Sequence, residues 1–252
     1  MTAIPIGDFE VVGETPLGAH LQMALDEVLL AAVAAAGRPP LLRFWGWTEP
    51  SLVLGSNQSV ANEIDLAAAG RRGFILTRRL SGGGTMLAQP GRTITWSLIF
   101  PAGMVAGLSF RQSFAELDRW AVDTLRQLGI DAGYRPINDI VSPAGKIAGA
   151  AQARRAGAVL HHVTMAYSLD GELLTEVVRI GRPALEERGV RSAEKRVSPL
   201  ETLTSLSREA VVEALGEAAG GRPGVIGAEE LEAARLLEAT KYSLESWIHR
   251  LP

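Results

Sequence analysis

The stretch Asn138-Asp139-Ile140-Val141-Ser142-Pro143-Ala144-Gly145-Lys146-Ile147-Ala148-Gly149-Ala150-Ala151, with Val159-Leu160-His161-His162-Val163-Thr164-Met165 after it, decides how this chain is read. Residues 138–169 form two or three antiparallel strands, joined by short turns at Pro143-Ala144-Gly145 and Ala156-Gly157. One strand carries Lys146 and then almost no side-chain bulk, so a slender chain or a nucleotide can approach its backbone closely. By alternation His161 falls with Val159, Val163 and Met165 and reads as a buried, hydrogen-bonded imidazole. His162 shares its face with Thr164, and both are candidates to line a site.

Outward from this stretch, helices and strands do not alternate strictly. A helix over Ala19–Ala35 follows from Leu21, Ala24, Leu25, Val28, Leu29 and Ala32, with Gln22, Asp26 and Glu27 on its other side. Strands are expected at Leu41–Trp47, Ser51–Gly55, Gly73–Thr77 and Thr93–Phe100. A second helix runs over Ser109–Leu128, its buried stripe made by Phe110, Phe114, Leu117, Ala121, Leu125 and Leu128, with Gly129 closing it. Beyond Arg182 the pattern becomes helical, with Ser207 capping a helix to Ala219 and a last helix from Ala228. The fold class is therefore α+β: mixed, largely antiparallel sheets flanked by helices.

Composition narrows the chemistry. A net charge of -3 gives no general reason to bind nucleic acid or an anionic membrane, and neither is expected as a partner. The chain contains no cysteine, which excludes disulfides, thiolate metal sites and a cysteine acyl-enzyme. The first ten residues lack the pattern of an export signal, and the longest apolar run, 28–36, is too short to span a bilayer. A soluble, cytoplasmic protein is expected.

A second segment, Arg78-Arg79-Leu80-Ser81-Gly82-Gly83-Gly84-Thr85, sets fixed positive charge beside three glycines. Adjacent glycines let successive N–H groups point into one concavity, which suits phosphate, and an arginine adds charge-assisted bonds. If the strand alternates, one arginine faces inward and the other lies at the surface. Lys146, directed into the space beside its small neighbours, would stabilise charge growing as a carboxylate attacks phosphorus. Asn138-Asp139 can bind a hydroxyl or a magnesium ion, or cap a turn. No Walker loop, dinucleotide glycine pattern or Gly-x-Ser-x-Gly elbow is present, and four histidines without ligand spacing argue against zinc.

In series, Gly55-Ser56-Asn57-Gln58, Arg78 to Gly84, Asn138-Asp139-Ile140, Gly145 to Ala151, His161-His162-x-Thr164 and Lys241-Tyr242 ahead of Trp247 resemble the lipoate-protein ligase family of the biotin/lipoate protein ligase superfamily. The resemblance implies a catalytic domain like that of class II tRNA synthetases and biotin ligases, here filling residues 1–252 without an accessory domain. It implies ATP and Mg2+ as cofactors and lipoate as substrate. Lipoyl-AMP would form first, and the lipoyl group would then pass to a lysine of an acceptor lipoyl domain, in 2-oxoacid dehydrogenases or the glycine cleavage H protein. Some relatives need a separate accessory subunit.

By the same resemblance Arg79, Ser81, Gly82, Gly83, Gly84, Thr85, Met86 and Leu87 hold the acyl-adenylate, with Asn138, Asp139, Ala150, His162 and Thr164. Lys146 contacts phosphate and acyl carbonyl and is the catalytic residue, while Asp139 is the candidate magnesium ligand. Ala88-Gln89 stand where the family has His-Asp, and Val163 replaces a glycine. The rivals are an octanoyl or lipoyl transferase of the same fold without an ATP step, and a non-catalytic protein binding lipoyl-AMP or an acceptor. Related transferases use a cysteine thioester, which this chain cannot form.

Overall fold

The computed structural model describes residue 4 and residues 6–193 and 195–251. In chain order the elements are β1 (Glu10–Leu17), α1 (Ala19–Ala34), β2 (Leu41–Trp47), β3 (Ser51–Leu54), α2 (Val60–Glu63), α3 (Leu66–Arg71), β4 (Ile75–Arg78), β5 (Met86–Ala88) and β6 (Thr93–Pro101). Then come α4 (Phe110–Gln127), β7 (Gly133–Arg135), β8 (Asp139–Ser142), β9 (Gly145–Arg155), β10 (Ala158–Ala166), α5 (Gly171–Val177), α6 (Arg208–Ala219), β11 (Arg222–Pro223), α7 (Ala228–Leu237) and α8 (Glu245–Ile248). Eight strands form a mixed sheet in the order β11-β1-β2-β6-β10-β9-β8-β7, and β4-β3-β5 form a second, smaller one. The β11-β1-β2 ladders are parallel and all others of the large sheet antiparallel.

Residues 139–166 form three antiparallel strands, β8, β9 and β10, as the turns predict. Ala156 and Gly157, both at positive φ, make the second turn. Both faces of the large sheet are covered. On one, Leu42, Phe44, Trp96, Leu98 and Phe100 pack under α4 and α6; on the other, Leu41, Trp45, Trp47, Ile99 and Leu160 pack under α1. Ser109 caps α4 with a full capping box, so the expected start of that helix holds.

Three expectations fail. Phe110 sits in the first turn of α4 and is exposed, its ring covered by the Arg154 guanidinium at 4.3 Å instead of by the core. Gln22 and Asp26 are buried under the sheet because Arg43, inside β2, needs partners there. Residues 183–193 and 195–199 are irregular instead of helical, held by side chains from α2 and by the glycine turn. Strand β1 has no counterpart in the sequence reading.

Candidate functional site

A cavity of about 560 Å³ takes its walls from both sheets and from residues 190–193, 195 and 197. Arg79, Gly83, Gly84, Thr85, Met86, Leu87, Asn138, Lys146, Ala150, His162 and Thr164 all face it, so segments far apart in sequence meet as expected. Ser81, Gly82 and Asp139 stand one layer behind: Ser81 and Gly82 hold Arg79, and Asp139 holds Lys146. Met23 and Trp45 add apolar wall that the sequence reading did not assign.

The glycines are required by close approach. A Cβ at Gly55 would lie 2.1 Å from the carbonyl oxygen of Gly83, and Gly83 itself has φ +92°. Arg79 ties this turn together. Its Nη2 donates to the carbonyls of Gly82 and Gly84 at 2.7 and 2.8 Å, Nη1 to Val53 at 3.0 Å, and Nε to Ser81 Oγ at 3.0 Å. Burial, and then the neighbouring Arg78 charge, lower its pKa to about 10, which still leaves it charged at neutral pH. Arg78 is not at the surface. Fully buried, it donates to the carbonyls of Ile248, Gly55 and Gln58, so β4 delivers both arginines inward, one to the cavity and one to its support.

Lys146 lies back across its own strand, and a Cβ at Gly149 would come within 2.4 Å of its Nζ. That fixes why glycine follows the lysine at this spacing. Nζ stands 2.9 Å from Asp139 Oδ1, and Lys195 Nζ stands 2.5 Å from Oδ2. Burial is the main reason that the Lys146 pKa falls below its ordinary value; Asp139 opposes the fall, while Lys195 and Arg79 add to it. As placed, these residues do not fit a protein-held magnesium ion. Each Asp139 oxygen faces an ammonium group, and no cluster of three or more metal-ligating side chains occurs among the described residues. Asp139 acts here as the anchor of two lysines.

Residues 190–193 and 195–198 close one side of the cavity. Ser198 N–H donates to the Lys146 carbonyl and Lys146 N–H to that of Arg196, so this segment pairs with the start of β9. Buried Glu63 accepts from Ser192 N–H at 2.9 Å, from the Ser192 hydroxyl, and from Thr85 Oγ1 at 3.1 Å, clamping the segment to the glycine turn. Arg191 and Lys195 thereby join Arg79 and Lys146 around the cavity, while no carboxylate lines it among the described residues. Lys195 escaped the sequence reading because it lies in an irregular segment without periodicity.

His162 is buried beside the cavity, with its Nε2 2.6 Å from Ser81 Oγ and its Nδ1 3.2 Å from Asp26 Oδ2. Burial lowers its pKa despite the Asp26 carboxylate, so the ring is neutral at neutral pH. His161, on the opposite face, is fully buried against Asp118 at 2.8 Å, as alternation predicts.

A cavity walled by both sheets, ringed by cations and backed by a glycine turn defines a site for an anionic, partly apolar ligand. The Lipoyl protein ligase A/B catalytic domain model matches residues 19–220, and the chain belongs to this family. Octanoyltransferase LipM of Kyrpidia tusciae is 31% identical, over 92% of this chain and 95% of its own length. Lipoate-protein ligase A subunit 1 of Thermoplasma acidophilum is 28% identical, over 93% of each. Among solved structures, lipoate-protein ligase A bound with ATP superposes with a TM-score of 0.81 at 28% identity, covering 97% of this chain and 100% of that one. A bi-partite lipoate protein ligase described with its E2 lipoyl domain, also from T. acidophilum, gives 0.80 at 27% identity over 97% of each. The chain is thus an enzyme of the lipoyl ligase/transferase family, with the α+β fold of lipoate ligases. Among the described residues no helix is long and apolar enough to cross a membrane.

Proposed function

We propose that this enzyme is an acid–protein-lysine ligase that forms an acyl-adenylate from lipoate and ATP and transfers the lipoyl group to a lysine of an acceptor lipoyl domain. The observation that carries the reading is a cavity with two lysines and two arginines around it in a chain without a single thiol. A transfer route through a cysteine thioester has no nucleophile here. Stabilising an adenylate's phosphate and acyl oxygen requires only fixed positive charge and donors, which Arg79, Lys146 and the 83–87 turn supply.

In the first step the lipoate carboxylate attacks the α-phosphorus of ATP and pyrophosphate leaves. In the second, the acceptor's lysine amine attacks the acyl carbonyl, an amide forms, AMP leaves and a proton is released. Lys146 neutralises charge on phosphate and carbonyl oxygens in both steps, so the enzyme forms no covalent intermediate. Asn138, Ala150 and Thr164 shape the wall along the bound acyl-adenylate. Any magnesium would come as part of the ATP substrate, because Asp139 is engaged by Lys146 and Lys195. Lipoyl domains of 2-oxoacid dehydrogenases and the glycine cleavage H protein are the acceptors proposed.

The likeness to LipM supports a second reading, acyl transfer from an octanoyl carrier without ATP. One pair of assays separates the two. With ATP, magnesium and lipoate the protein should release pyrophosphate and lipoylate an acceptor domain; with octanoyl carrier protein alone it should do neither. Because one relative is named as subunit 1, the first assay is run with and without a candidate second subunit. Acyl transfer from the carrier without ATP, or no acyl-AMP under any of these conditions, overturns the ligase reading.

Lys195 gives a prediction about pH. Activity that needs charged Lys146 is lost as pH rises through the Lys146 pKa. Lys195 lowers that pKa, so Lys195→Gln should move the alkaline limb of the rate profile to higher pH while reducing the rate at pH 7 by about tenfold. An alkaline limb that stays in place would show that Lys195 does not act on Lys146.

A further inference from the structure

Behind the cavity wall four side chains form a line that neither composition nor motif suggested. Asp26 in α1 is buried and accepts from Arg43 Nε at 2.9 Å and from Ser97 Oγ at 2.9 and 3.0 Å. His162 Nδ1 is 3.2 Å from its Oδ2, His162 Nε2 is 2.6 Å from Ser81 Oγ, and Ser81 Oγ is 3.0 Å from Arg79 Nε. Ser81 is buried and does not face the cavity; Arg79 does.

The line has one direction consistent with its chemistry. Burial disfavours a charged Asp26, yet the Arg43 guanidinium and His162 hold its carboxyl below the ordinary range, so it is an ionised acceptor. Neutral His162 must then carry its proton on Nδ1 to meet Asp26, which leaves Nε2 as an acceptor. The Ser81 hydroxyl donates to Nε2, and its oxygen lone pairs are left for Arg79 Nε–H. Every member is satisfied, with the donors running Arg79 to Ser81 to His162 to Asp26.

We propose that Asp26 is a positioning residue of the acyl-adenylate site, fixing the direction of a hydrogen-bond line through His162 and Ser81 that sets the orientation of the Arg79 guanidinium. This rests on the ligase reading above. The same donors of Arg79 tie down Gly82 and Gly84, so a turned guanidinium also loosens the phosphate turn. A reversed His162 tautomer would place N–H toward Ser81, compelling the hydroxyl to donate elsewhere and competing with Arg79 for its oxygen.

The test combines nitrogen-15 NMR of the histidine rings with kinetics of pyrophosphate release from ATP and lipoate. In the parent protein His162 should show the Nδ1–H tautomer between pH 6 and 8. Asp26→Asn should shift it toward Nε2–H and raise KM for ATP by about tenfold, the scale of one misplaced hydrogen bond to a charged group. Ser81→Ala interrupts the line without disturbing Arg43, and should raise KM for ATP similarly while His162 keeps Nδ1–H. It also decides the matter if Asp26→Asn fails to fold.

A merely structural role would reduce kcat through the active fraction and leave KM unmoved. A parent Nε2–H tautomer, or an unchanged KM in Ser81→Ala, overturns the proposal. If the parent makes no acyl-AMP, the ligase reading fails, while the tautomer measurement still reports on the line; KM is then replaced by the ATP dissociation constant from calorimetry, with the same tenfold rise expected in both variants.

Discussion

Lys146→Ala is expected to leave the protein folded and to slow acyl transfer by at least about a hundred- to a thousandfold, the usual cost of deleting a charge aimed at a developing oxyanion. The side chain is partly exposed, and its partner Asp139 keeps Lys195 at 2.5 Å, so no buried carboxylate is abandoned. The change removes the cation that Gly149 makes room for, at the point where β9 passes the cavity. On the proposed ligase route both half-reactions should suffer, because phosphate and acyl carbonyl would draw on the same ammonium group. Lys146→Arg should rescue little: the larger guanidinium must fit where the lysine already lies against Gly149. Parallel measurements of pyrophosphate release and of acceptor lipoylation check this, with circular dichroism as the control for folding. Parent-like rates in folded Lys146→Ala would remove this residue from the mechanism.

Much of this site is legible in the sequence because its parts are local. The glycine turn, the lysine beside small residues and the alternation of His161 and His162 each need only a few neighbouring positions to be read. The strands and turns of 139–166 were similarly plain, since Gly145 and Ala156-Gly157 punctuate them. What escaped were pairings set by tertiary contact. Asp26 looks like a solvent-facing residue of an amphipathic helix until Arg43 is found across from it. Here a signal existed: a charged residue inside the apolar run Leu41–Trp47 calls for a buried acid somewhere. Lys195 and Ser192 had no such signal. Their segment has neither helical nor strand period, and its placement depends on Glu63 and on the backbone of Lys146. Strand β1 leaves no clear signal in the sequence because it pairs in parallel with β2 and its burial pattern is irregular.

Arg78 is buried where alternation predicts an exposed arginine, and its substitution should have the largest effect on stability. Alternation placed one arginine of the pair in solvent, but β4 ends where its partner strand β3 ends, and the chain beyond covers it. Arg78 Nε and Nη2 both donate to the Ile248 carbonyl, at 2.8 and 2.6 Å, and Nη1 donates to those of Gly55 and Gln58 at 2.9 and 2.7 Å. Trp247 Nε1 returns a bond to the Arg78 carbonyl at 2.9 Å, and Arg250 reaches Ser56. The guanidinium thus staples the C-terminal turn to the back of the glycine segment, one residue before Arg79. Burial, with Arg250 nearby, lowers its pKa to about 10, yet it remains charged at neutral pH and is matched by carbonyl dipoles. Arg78→Met keeps an apolar stem but takes the guanidinium donors from the Ile248 and Gln58 carbonyls and leaves Gly55 with only the 3.2 Å bond from Gln58 N–H, at a cost of about 3–5 kcal/mol. For a chain of this length that corresponds to a fall in Tm of roughly 10 °C. Arg78→Lys should recover only part of it, since a single ammonium cannot span acceptors on both sides of the strand. Thermal unfolding followed by circular dichroism measures the shift, and a Tm within about 2 °C of the parent would mean that the C-terminal turn holds the glycine segment without this arginine.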